Sequence, residues 1–168
     1  MVAEPLWLQV ARRYIGVAEI PGKDSNPLLV KWWLKGGAAV WNTLGRDDSR
    51  APWCGTYVGE CLDEVGLPRP QNWYRARVWL DYGTRIPAPV YGCIVVYERK
   101  GGGHVGFVVG RDEHGNLMVL GGNQGDMVSI RPFDPARVLG YVWPPGGPYS
   151  HQPLPRFVGN LPVSRNEA

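Results

Sequence analysis

The 168-residue chain is short of most features that would place it at a glance. Its three cysteines, Cys54, Cys61 and Cys93, are an odd number with no Cys-x-x-Cys spacing. That excludes a disulfide framework and a structural zinc site, and it predicts reduced thiols in a chain made in the cytosol. Charge of neither sign dominates: 18 basic against 15 acidic residues leave a net +3, with no long basic run. The footprint of a nucleic-acid binder is missing, and only a weak pull toward anionic polymers remains. No segment reaches the roughly 18 apolar residues of a membrane span. The opening run MVAEPLWLQVARRYIG has Glu4 and Pro5 early and no continuous apolar stretch, unlike a secretion signal. The KGGG run before His104 lacks the spacing of a phosphate loop, and Asp47-Asp48 lacks that of a calcium loop. No cofactor and no metal are therefore expected, and a monomer without stable membrane association is.

Turn residues and tryptophan are plentiful, with 23 glycines, 16 prolines and eight tryptophans. Leu6, Trp7, Val10, Ala11 and Tyr14 recur at helical spacing before Gly16. Asn26-Pro27 reads as a cap and first-turn proline for a second helix ending at Gly36. AAVWNTLGRDDSRAP reads as a loop. A third helix starts near Pro52, buries Val58, Cys61, Leu62 and Val65, and stops at Gly66. Trp73 to Tyr82 is a possible fourth. After Pro89 come five short valine-rich stretches separated by turns, which predict an antiparallel meander. Helices followed by strands give an α+β fold in one domain over residues 1–143. Residues 144–168, rich in proline and glycine without periodicity, read as a tail.

The stretch SRAPWCGTYVGECLDEVGLPRP places Cys54 at the start of the third helix. Helix starts carry partial positive charge, which stabilises a thiolate, so Cys54 is the candidate nucleophile. Cys61 falls on the buried face of the same helix and Cys93 in a strand. A thiol nucleophile needs a base and a group to orient the base. Of three histidines, His114 sits in a turn and His151 in the tail. His104 opens a strand directly after KGGG and is the best base. The next strand ends in VLGGNQGD, so Asn123 is expected beside His104, with Gln124 as a rival orienter. Trp53, Asp48 and Gln124 are the candidate substrate-binding residues, Trp53 being also readable as packing beside the nucleophile.

PWCGTYVGECLDEVGLP, GCIVVYERKGGGHVGFVVG and VLGGNQGDMVSIRPFDPARVLGYVWP, in this order, resemble the NlpC-like and CHAP cysteine peptidases and amidases. The resemblance extends over about residues 5 to 143. It implies a papain-like core, with helices on an antiparallel sheet of about five strands. It implies a peptidoglycan hydrolase that cuts an amide bond through Cys54, His104 and Asn123. Phage lysins and tail-associated hydrolases, or exported toxins, are the settings it suggests, with action on the wall after release. One departure stands out: many such proteins carry glutamate where this chain has Gly121. The alternatives are an acyltransferase or deamidase on the same scaffold, and a phage tail component that only binds cell wall.

Overall fold

The computed structural model describes residues 3–21, 24–36, 42, 48, 51–146, 152–159 and 162–164. Most of the loop expected before Cys54, with Asp47 and also His151, lies outside the described residues.

Helix α1 spans Leu6–Arg13. Its buried face is Trp7, Leu8, Val10 and Ala11, while Leu6 is 63% exposed and does not share it. The chain leaves α1 through Gly16 at φ 92, a left-handed turn that glycine adopts without strain. Helix α2, Pro27–Leu34, begins as its sequence predicts: the Asn26 side chain accepts the Leu28 N–H at 2.9 Å. Helix α3 spans Cys54–Asp63, and every residue from Cys54 to Leu62 is buried. A helix covered on all sides is a core element. Tyr57 carries the packing: its ring meets Trp32 of α2 at 6.1 Å and its hydroxyl donates to the Ala11 carbonyl of α1. The expected fourth helix is a tighter 3₁₀ turn over Ala76–Asp81.

The sheet has seven strands: β1 (Thr84–Ile86), β2 (Ile94–Arg99), β3 (Gly102–Asp112), β4 (Leu117–Gly121), β5 (Ser129–Phe133), β6 (Val138–Trp143) and β7 (Arg156–Phe157). Their order is β1-β6-β2-β3-β4-β5, with β7 parallel to β3. Strands β2 to β5 form the expected meander. The last of the five expected strands does not continue it: β6 pairs with β2, on the meander's other side. The sheet curls to allow this. Phe133 of β5 and Tyr97 of β2 have ring centroids 4.9 Å apart although two strands lie between them. Tyr57 of α3 meets Phe107 of β3 at 6.5 Å, so α3 lies against the middle of the sheet. The fold is α+β, as expected.

The segment after 143 contributes to this sheet. Phe157 of β7 packs so closely on Gly110 that a Cβ there would lie 2.5 Å from its ring. Further on, the Ser164 N–H donates to the Pro132 carbonyl at 2.8 Å. No helix among the described residues is long and apolar enough to cross a membrane.

Candidate active site

Cys54 is the first residue of α3 and is 3% exposed. The N-cap residue of this helix, Trp53, makes no side-chain capping bond. The N–H groups of its first turn, that of Cys54 among them, therefore have no acceptor within the helix. The next residue, Gly55, lies against backbone: a Cβ there would come within 2.7 Å of the Trp73 carbonyl oxygen. Only glycine lets the chain around Trp73 and Tyr74 come this close to the nucleophile's turn.

His104 lies near the start of β3, is fully buried, and stacks on Phe133 with centroids 5.2 Å apart and planes 5° from parallel. Its Nε2 lies 2.9 Å from Gln124 Oε1. The orientation of that carboxamide is fixed by its other end. Gln124 Nε2 donates to the carbonyls of Val119 at 3.0 Å and Ser129 at 2.8 Å. Carbonyls only accept, so the NH₂ end faces them and Oε1 faces the imidazole. Oε1 only accepts in turn, so Nε2 of a neutral His104 carries the proton. Nδ1 is left with a lone pair and has no hydrogen-bond partner within the described residues.

The acid facing this imidazole is Cys54. Burial pushes its thiol up, but the neighbouring His104 side chain, the Val105 backbone and the charge of Arg99 overcome that, and the thiol lies below its ordinary value. No aligned hydrogen bond joins sulfur to Nδ1, a looseness common where substrate is not yet bound.

A buried thiol made more acidic by an imidazole, itself held by a carboxamide, is the arrangement of a cysteine hydrolase. Residues 46–123 match the family model of the CHAP domain. That stretch resembles a CHAP domain. No curated protein and no solved structure matches the chain. The CHAP domain suggests peptidoglycan hydrolase or amidase activity.

Within the matched stretch the structure places His104 beside Cys54. The side chain on the imidazole differs from the expected one: it is Gln124, and Asn123 Oδ1 is buried without a hydrogen-bond partner. The reason is backbone geometry. Asn123 adopts φ 57, which breaks the alternation of the preceding strand and brings the next residue, Gln124, to face the ring. Gly121 makes room for it, since a Cβ there would lie 2.9 Å from Gln124 Cδ and closer still to its Oε1.

The three residues expected to touch substrate are each buried and bonded within the fold. Trp53 is fully buried and donates its Nε1–H to Glu19. Asp48, 1% exposed, accepts the N–H groups of Ile20 at 3.2 Å and Asn26 at 2.7 Å through Oδ2. Gln124 is fully buried against His104. His114 lies in the turn after β3, at the far end of that strand from His104. All three cysteines are free and buried. Two contributors escaped sequence reasoning, the stacking of Phe133 on His104 and the close approach of Trp73-Tyr74 to Gly55. The glycine of the WCG triplet was the available signal for the second.

Proposed function

We propose that this chain hydrolyses an amide bond in the peptide part of peptidoglycan through an acyl-enzyme on Cys54. His104 Nδ1 takes the thiol proton, and the thiolate attacks the carbonyl carbon of the scissile amide. The oxyanion that forms sits before the N–H of Cys54 at the start of α3. The imidazolium then gives its proton to the departing amine, leaving a thioester on Cys54. Water attacks the thioester, His104 takes the water's proton, and the thiol leaves reprotonated. Gln124 accepts from Nε2–H in both the neutral and the imidazolium form, so Nδ1 is the nitrogen that takes and returns the proton.

The observation that carries this reading is the doubly anchored Gln124 carboxamide, which fixes the tautomer a thiol base needs. Its role here is that of orienting residue in place of Asn123.

The test is clearing of purified cell walls, with mass analysis of the released fragments. Cys54→Ala is expected to abolish clearing while thermal unfolding stays cooperative. Fragments with new amine and carboxylate ends identify a hydrolase. Clearing at the normal rate by Cys54→Ala, or fragments joined to an added amine in place of hydrolysed ones, would overturn the reading.

A further inference from the structure

One wall of the site is built by the segment after α3, and its charge is one-sided. From Val65 to Leu80 the chain has three arginines and no acidic residue. The segment from Trp73 to Arg77 runs from the nucleophile to the base. At one end the backbone of Trp73 and Tyr74 lies on Gly55, the residue after Cys54. At the other end Arg77 lies on Gly103, the residue before His104: a Cβ at Gly103 would be 3.1 Å from Arg77 Cγ. The Arg77 guanidinium donates to the Gly102 carbonyl through Nε at 3.3 Å and Nη2 at 3.1 Å, which ties this wall to the hairpin leading into His104. That hairpin adds Arg99 and Lys100.

Trp73 and Ala76 are buried, whereas Arg75 and Arg77 are exposed. Arg75 lies 5.8 Å from the Tyr74 ring centroid and has no ion pair among the described residues. The acid nearest Arg77 is Glu98, at 3.9 Å and 69% exposed, a distance and exposure at which an ion pair contributes little. The charge reaches the chemistry, because Arg99 is among the groups that lower the Cys54 thiol. An exposed guanidinium presents a planar fork of donors that matches a carboxylate.

We propose that Arg75 and Arg77 form a carboxylate-binding wall that selects peptides carrying a free carboxylate next to the scissile amide. The proposal rests on the hydrolase reading above and names the substrate feature that the same site takes. The wall spans only from Cys54 to His104, so the carboxylate it reads belongs to a residue flanking the cleaved bond. Phosphate elsewhere in a wall polymer would be attracted to the surface without being read at this position.

The experiment compares native walls, the same walls with their carboxylates converted to carboxamides, and walls stripped of phosphate polymer. Amide cleavage is followed by counting new amine ends. The wild-type chain is expected to cut native walls about tenfold faster than amidated ones at limiting substrate, an effect of order one charge-assisted pair. Arg75→Gln and Arg77→Gln are each expected to shrink that ratio to about twofold, with the rate of Cys54 alkylation by iodoacetamide unchanged. Arg75 holds no backbone group, so its variant keeps the test open if Arg77→Gln disturbs the hairpin.

Equal rates on native and amidated walls overturn the carboxylate wall and leave the hydrolase reading standing. A loss on phosphate-stripped walls with none on amidated walls assigns the cations to phosphate and also overturns it. A ratio that survives both substitutions places the selectivity elsewhere. Cleavage of none of the three walls sinks the hydrolase reading itself.

Discussion

Cys54 and Cys61 sit two turns apart on α3, both buried, yet their thiols move in opposite directions. Burial pushes Cys61 well up; the Tyr57 side chain offsets part of this, while Glu64 and Glu60 add to it. Burial pushes Cys54 up as well, and His104, Val105 and Arg99 bring it below the ordinary value. Cys93, buried in the sheet, is pushed up to about 12. Burial alone thus raises a thiol in this molecule. What separates Cys54 is above all one imidazole delivered by β3.

Removing the imidazole should erase the difference, and this is the largest expected effect. In His104→Ala only burial and the weaker Val105 and Arg99 influences act on Cys54, so its thiol should rise above the ordinary value, as Cys61 does. Alkylation of Cys54 against pH should show its inflection move from below the ordinary thiol value to above it. Wall clearing should fall about 10² to 10⁴-fold, the usual contribution of a general base. The Cys54→Ala/His104→Ala double variant should be scarcely slower than either single one, because the pair acts as a unit. An inflection that stays where it was would show that the helix, not the histidine, sets the thiol.

A smaller loss is expected from loosening the base without removing it. Gln124→Ala should cost about 10 to 10²-fold in kcat, part of the general-base contribution. Gly121→Ala should do much the same, because its methyl group displaces a side chain and not the backbone. Asn123→Ala should cost less than either. The check is kcat for the three variants together with the nitrogen chemical shifts of His104, which should show the ring proton no longer confined to Nε2 in the first two. A larger loss in Asn123→Ala than in Gln124→Ala would return the orienting role to Asn123. The smallest effect belongs to Cys61→Ala: of order 1 kcal/mol of stability by denaturant titration, and wall clearing at the wild-type rate.

Much of this was legible in the sequence because it depends on local chemistry. The Asn26 cap, the Cys54 helix start and the His104 strand are each announced by residues within a few positions. What was not legible depends on contacts far along the chain or on backbone outside regular periods. β1 and β7, with three and two residues, are too short to show an alternation. The return of β6 to β2 follows from the curl of the sheet, sealed by Phe133 against Tyr97, which no local pattern encodes. The choice between Asn123 and Gln124 turned on a single left-handed residue. Neighbouring carboxamides cannot be told apart by counting when the backbone between them reverses. The hold of Asp48 on the fold was not legible because its partners, Ile20 and Asn26, lie more than twenty positions upstream.

The Asp48 clamp and the Gln124 anchor also bear on how this catalyst could be moved between proteins. A segment cut at the borders of the family match, residues 46 and 123, keeps the nucleophile and the base. It severs Asp48 from both amides it gathers, ends one residue before the group that sets the tautomer, and leaves Phe133 behind. The portable unit is therefore wider than the recognisable one: it begins ahead of α1 and runs through β6. Grafts and chimeras joined at the motif edges would inherit a thiol and an imidazole without the scaffold that makes them a pair.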